Sequence, residues 1–380
     1  MNGTLRCNFL PTDPHPPPKP RSSLRICQWN IERAYKLPLI IDTLAKIDAD
    51  ILCLQELDIN CERSANVDSF TAIAQALQLT GIFVTEFEEL HSPMRSLHAQ
   101  GGGLHGNAIL SKWPITEHWV IDHFHAYDWN AKGHLKKEPR RGNRVTLVAA
   151  ISSPLPNCSS LLAYSAHLEV FTGIYGRLIQ LGEILKFSHL HTDQYPMQIL
   201  CGDMNTLAHS IARFSRAFCK DHLRWRSLGQ SESEWWQSHI LRNFSHPNAF
   251  LQRYHSAKLP NHTIQWCVNP GFWDPFPVNE TTLSVLWGFY RSRLDWMLCM
   301  GLQVVARGLE NEAYAASDHK AMFIDCRVLE ALDRESVVSY AKERAGRGPR
   351  RRPMMVVYRD RGILVLVILL LVRLIVNRVS

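Results

Sequence analysis

The chain has 380 residues, enough for one large domain or two modest ones, and its 46% hydrophobic content is an ordinary globular balance. The net charge of +7 is not spread over the chain: residues 331–380 carry eleven Lys and Arg against four Asp and Glu, so the other 330 residues balance. Composition therefore excludes a body that holds nucleic acid by bulk charge. The ten cysteines, with no C-x-x-C spacing, argue against a structural zinc site and for buried reduced thiols in a cytosol-facing protein.

Residues 1–22 are Pro-rich (Pro11, Pro14, Pro16, Pro17, Pro18, Pro20) and lack the apolar core of a signal peptide, so they read as a disordered or extended arm. Residues 24–29 form the first expected strand, 36–49 a helix by apolar spacing, and 51–54 a second strand. A helix over 66–79 and a strand over 81–84 follow. Gly101, Gly102 and Gly103 lack the Lys-Ser/Thr ending of a phosphate loop and read as a turn before a strand at 106–111, whose expected neighbour is 144–151. Further strands are expected at 161–167, 197–200, 294–299 and 322–326, with a helix over 174–187. Many short strands with interspersed helices indicate an α/β sandwich of mixed sheets. Residues 207–290 are a long insertion rich in Trp (Trp225, Trp235, Trp236, Trp266, Trp273, Trp287), expected to pack as core and lid.

Four apolar runs end in polar groups: Gln28-Trp29-Asn30-Ile31-Glu32, Leu54-Gln55-Glu56, Gly202-Asp203-Met204-Asn205 and Ser317-Asp318-His319. Each polar group falls where a strand should leave the sheet, a place that fixes geometry while loops admit substrate. Carboxylates, amides and a histidine, without thiols, form a hard oxygen-rich set suited to Mg²⁺ and phosphate.

The order Asn30, Glu56, His167, Asp203-Met204-Asn205, Asp295, Ser317-Asp318-His319, each after a strand, resembles the endonuclease/exonuclease/phosphatase superfamily, the fold of deoxyribonuclease I, over about residues 24–327. The resemblance implies two packed mixed β-sheets flanked by helices, a four-layer sandwich, and hydrolysis of phosphoester bonds with Mg²⁺ or, alternatively, Mn²⁺. It makes Glu56 the principal metal carboxylate, with Glu32 and Asp318 as further ligands. Asp203 would position or deprotonate the attacking water, and Asn205 would donate to a phosphate oxygen. Asp295 would hold one imidazole nitrogen of His319 so that the other faces phosphate, with His167 as the second active-site histidine. Asn30, Asn107 and Arg177 are the candidates for substrate binding.

The stretch His167-Leu168-Glu169, Gly173, Arg177, Gln180 is similar to a pattern shared by sphingomyelinase-like members and 5′-tyrosyl-DNA phosphodiesterases, and does not separate them. The charge-neutral body favours a lipid headgroup over nucleic acid, a nuclease or DNA-end phosphodiesterase being the alternative. A noncatalytic scaffold of the same fold is the reading from another class.

The expected organisation is an arm at 1–22, a catalytic domain at 23–328, a basic linker at 329–361 and a C-terminal apolar helix at 362–377. Residues 362–376 would cover about 22 Å as a helix against roughly 30 Å of hydrocarbon, short but flanked by Arg361, Arg373 and Arg378, which can snorkel. The expectation is a tail-anchored protein, bound to a membrane through this helix, with its catalytic domain facing the cytosol.

Overall fold

A computed structural model of the protein describes residues 3–8, 22–153, 155–156, 159–245, 267–285, 288 and 290–346. Two mixed sheets lie face to face. The first is eight-stranded, with β1 (Leu5–Asn8), β4 (Thr80–Glu89), β5 (Leu104–Ser111), β3 (Ile51–Ile59), β2 (Leu24–Asn30), β15 (Ala321–Val328) and β14 (Leu302–Glu310) in that order, and β7 (Arg140–Gly142) against β4. The second is five-stranded, in the order β13 (Asp295–Met300), β10 (Gln198–Asp203), β9 (Ser160–His167), β8 (Val145–Ser152) and β6 (Ile115–Asp122). Strands β11 (Leu283–Val285) and β12 (Tyr290–Ser292) form a separate ribbon within the insertion. Pairs β2–β3 and β9–β10 are parallel and the other pairs antiparallel.

The central strands read as unbroken apolar runs because both faces are covered. In β3, Ile51 and Cys53 face the other sheet, whereas Leu52 and Leu54 face outward. Against that outer face lie Ile40, Leu44 and Ile47 of the helix Leu37–Ile47, and Phe70 and Ile73 of the helix Ser69–Leu77. Pro38 suits the first turn of the former, and Asp68 caps the latter by accepting from the Thr71 N–H. The outer face of the second sheet carries the helix Ile174–His191 and part of the insertion, where Trp235 and Trp236 are buried with Trp296. Helix, sheet, sheet and helix make the expected sandwich.

Several expectations need correction. The strands at 106–111 and 144–151 are not neighbours in one sheet: β5 lies in the first and β8 in the second, and they meet face to face. The arm is extended where it is described, and it is not free, since Leu5–Asn8 pairs with β4. The linker holds a helix, Arg334–Gly346, that buries Val337 and Ala341 against the domain and sets Tyr340 edge-on to Trp273. Residues 9–21, Trp266, Trp287 and the apolar segment 362–377 lie outside the described residues. Among the described residues no helix is long and apolar enough to cross a membrane.

Candidate active site

Strand register brings the polar groups together before any side-chain contact is considered. Asp203, at the end of β10, pairs with His167 of β9 on one side and Asp295 of β13 on the other. In the facing sheet, Asn30, the last residue of β2, pairs with Gln55 in the middle of β3. The register of β3 then slips between Leu54 and Leu57, and Glu56 sits in this bulge with φ of 58°. Bulges re-aim side chains, and left-handed backbone at a non-glycine residue is strain held by its surroundings. Glu32, Arg33 and Ala34 are also left-handed, as is Asn205, so the loops leaving β2 and β10 turn sharply at the site.

Hydrogen bonds lock the arrangement. The Asn30 amide donates to Glu56 Oε1 at 3.2 Å and to Asp203 Oδ2 at 3.1 Å, bridging the two sheets. His319 Nδ1 lies 2.7 Å from Asp295 Oδ2, and its Nε2 is 3.8 Å from Asp203 Oδ2. The Ser317 hydroxyl donates to the Asn30 carbonyl and accepts from the His319 N–H, while Trp29 Nε1 donates to the His319 carbonyl. His167 Nε2 lies 3.7 Å from Asp203 Oδ2. The Asn205 amide donates to the Leu168 carbonyl, and its backbone N–H donates to Asp203 Oδ1.

The ionisable groups are driven apart, as acid–base roles require. Burial raises the Asp203 carboxyl to about 7, against the opposing pull of His319 and with the repulsion of Asp295. Burial works against charge on His319, yet Asp295 and Asp318 outweigh it and hold the ring well above the ordinary histidine range. Burial and the Arg144 guanidinium push His167 well below that range, leaving it neutral. One imidazolium and one neutral imidazole therefore flank the same carboxylate.

A second acidic group borders this set. Glu32 Oε2 accepts from the Asp318 N–H at 3.0 Å, and both carboxyls are raised, by burial first and then by neighbouring carboxylates. Desolvation also works against charge on the half-buried Glu56, but Arg33 and the surrounding histidines keep it ionised. Crowded carboxylates whose charge is poorly compensated fit a hard divalent cation. Asp203, Asp295 and His319 also offer ligand atoms within 4.8 Å of one another. That trio fits a metal less well, because a protonated ring bonded to Asp295 has no lone pair to offer.

Asp203, Asn205, His167, His319, Glu56 and Asp318 all line one cavity of about 530 Å³. The insertion supplies an apolar wall from Leu207, Phe218, Leu283 and Tyr290, and the loop after β9 adds Val170 and Phe171. Arg33, Lys136, Lys137, Glu138, Arg140 and Arg144 form the charged wall. Of these, only Arg144 fell on an element expected from the sequence, the strand at 144–151. The others stand on loops or on the short edge strand β7, with no apolar run before them to mark them.

None of the three expected substrate-binding residues lines the cavity: Asn30 is buried with its amide on Glu56 and Asp203, and the other two belong to the scaffold. Arg177 is fully buried and forked onto Glu232, at 2.9 and 2.6 Å, which ties the helix Ile174–His191 to the insertion. Asn107 is buried between the sheets and donates to the Val145 carbonyl at 3.2 Å. Both stabilise the scaffold. Sequence reasoning also missed the positioning of Asp295: Gln28 donates to its Oδ1 at 2.9 Å and to Gln55 at 2.8 Å, and Gln55 donates to Ser165 at 2.9 Å. Three buried polar residues inside apolar strands were the available signal.

The model of the Endonuclease/Exonuclease/phosphatase family matches residues 27–319, which include every residue of this site. The chain belongs to that family. Family members hydrolyse phosphoester bonds and are typically dependent on a divalent metal. The mouse 2′,5′-phosphodiesterase 12 is 26% identical over 217 residues, 54% of this chain and 34% of that protein. The cattle protein of the same name is 28% identical over 218 residues, with the same shares. The chain thus matches about a third of the length of these curated relatives. The catalytic domain of human Nocturnin, solved with a bound sulfate, aligns with a TM-score of 0.46 and 16% identity, covering 81% of this chain and 94% of that one.

Proposed function

We propose that this family member is a metal-dependent phosphodiesterase whose site is the cavity between the ends of the two sheets. The observation that carries the reading is the Asn30 amide, which joins Glu56 and Asp203 and so couples the acidic cluster to the group that handles water. Glu56, Glu32 and Asp318 would hold a divalent cation, Mg²⁺ by their chemistry, with Mn²⁺ an alternative. When bound, the cation supplies Lewis-acid stabilisation of a phosphoryl oxygen.

The chain's own residues do the rest. Asp203, ionised above about pH 7, takes a proton from the attacking water. His319, held protonated by Asp295, presents Nε2 to charge that builds on the phosphoryl oxygens. His167 Nε2 faces the same region as a neutral ring, and Asn205 keeps one amide hydrogen beyond its bond to Leu168. The buried walls exclude water from this charge development.

The apolar wall fits a base or an acyl chain. Similarity to the 2′,5′-phosphodiesterases favours a nucleotide phosphodiester, while the apolar run at 363–372 favours a lipid headgroup. Assaying the full chain with Mg²⁺ on a 2′,5′-linked dinucleotide, a single-stranded oligonucleotide, sphingomyelin and inositol phosphates separates these readings. Preferred turnover of the dinucleotide supports the first, preferred turnover of sphingomyelin the second, and no turnover of any would sink the hydrolase reading.

A further inference from the structure

Three cations gather about Phe171 and Trp129 of the cavity wall, each by a different contact. The Lys136 ammonium stands 3.9 Å from the Phe171 ring centre and 5.1 Å from that of Tyr127. Lys220 Nζ donates to the Phe171 carbonyl at 3.2 Å. The Arg140 guanidinium lies 4.2 Å from the Trp129 ring, which itself meets Phe171 edge-on at 5.5 Å.

The charges here are not all matched. Arg33 faces Glu138 at 2.7 Å, Arg144 faces Glu86 at 2.9 Å, and Arg140 faces Glu89 at 3.5 Å. Among the described residues, Lys136 has no carboxylate within the 4.0 Å of an ion pair. The nearby Glu169 is already engaged, by Trp129 Nε1 at 2.6 Å and the Phe171 N–H at 2.8 Å. Burial lowers both lysines below their ordinary range against the opposite pull of Glu169, and Lys220 and Arg140 add to the opposition on Lys136. A lysine resting on a surface phenylalanine needs no ligand. Lys136 and Arg140 line a catalytic cavity with Lys220 beside them, and the mutual cost of such cations is relieved when an anion enters.

We propose that Lys136, flanked by Arg140 and Lys220 on the Phe171 platform, forms a second anion subsite, which takes a phosphate other than the one hydrolysed. The preferred substrate of this cavity is then a phosphoester with a second anionic group. Phe171 follows His167 by four residues, so chain reach keeps their Cα atoms within about 14 Å of each other. That span fits one nucleotide or one bisphosphorylated ring. The inference rests on the phosphodiesterase reading and names the substrate class of that same site.

The test compares wild type with K136M and the conservative K136R, each as the full chain. Substrates are a 2′,5′-linked dinucleotide with and without a 5′-phosphate, inositol mono- and bisphosphates, and bis(p-nitrophenyl) phosphate as a single-phosphate reporter. The 5′-phosphate or the second ring phosphate should lower KM by about tenfold in wild type, an advantage lost in K136M and regained in K136R. Which pair shows the effect tells whether the second anion comes from a nucleotide or an inositol ring. Equal losses in K136M on substrates with and without the second phosphate would overturn the subsite. Calorimetry with inositol bisphosphate and monophosphate reads the subsite without turnover. A bisphosphate preference removed by K136M supports the subsite even if no substrate is hydrolysed, which would sink the hydrolase reading alone. No such preference sinks the subsite.

Discussion

Asp203, His319 and Asp295 hold opposed charge states in one buried cluster, and each should leave a separate trace in kinetics. Asp203 acts as a base only when ionised, and its carboxyl is raised to about 7. Turnover should therefore climb as pH rises through about 7 and level off above it, while D203N should lose most activity and the profile with it. A flat profile across that range in wild type would remove Asp203 from the base role. Asp295 acts through His319, to which it is bonded at 2.7 Å. D295N and H319A should then be strongly non-additive, the double variant being little worse than H319A. Losses in kcat that multiply would show two independent groups. Asn30, His167 and Asp203 were legible because each ends an apolar run that reads as a buried strand, whereas Asp295 opens β13 and His319 stands just before β15. Arg177 and Asn107 misled for the same reason: the sequence shows a polar residue on a buried element, but not whether its partners belong to the site, as Glu56 and Asp203 do for Asn30, or to the scaffold, as Glu232 does for Arg177.

At the scale of elements, the wall opposite the insertion is held by buried ion pairs linking the ends of β3 and β4 to the loop before β7. Arg63 forks onto Asp58 at 2.7 and 2.9 Å and reaches Glu89 at 3.2 Å, with every partner almost fully buried. Burial opposes ionisation of Asp58 and Glu89, but Arg63 outweighs it and holds both below the ordinary carboxylate range. A depressed carboxylate contributes stability that is full above its unfolded pKa, near 4, and is lost as pH falls toward the folded value. R63M should therefore cost about 3–5 kcal/mol near neutral pH, because it strands two buried acids. It should also move acid unfolding to higher pH, as followed by circular dichroism. An unchanged acid midpoint would show that other arginines neutralise Asp58 and Glu89. None of this network was legible in advance, since its members lie on separate elements without a shared period. Edge strands β6 and β14 also escaped the sequence reading, because their half-exposed residues break the apolar run that marks the central strands. The helix Arg334–Gly346 escaped because it buries only Val337 and Ala341 in an otherwise polar stretch.

At the scale of the molecule, a charge-neutral sandwich carries its site between the ends of two sheets, and the helix Arg334–Gly346 closes the described part against the core. We propose that residues 362–377 anchor this body to a membrane with the cavity on the cytosolic side. A reporter fused to residues 347–380 should then resist carbonate extraction, and Asp at both Leu369 and Leu370 should release it, since each charge near the middle of a span costs about 2.5–3.5 kcal/mol. A soluble unmutated fusion would remove the anchor and with it the chief support for a lipid substrate. The central claim, metal-dependent phosphodiester hydrolysis at this cavity, is tested most directly by hydrolysis of bis(p-nitrophenyl) phosphate over a Mg²⁺ titration, for wild type and E56Q. Metal-dependent hydrolysis through Glu56 requires wild-type turnover to be abolished by chelator and restored by Mg²⁺, and E56Q to lose at least about a hundredfold that saturating Mg²⁺ does not rescue. Turnover indifferent to chelator, or an E56Q protein as active as wild type, would contradict it.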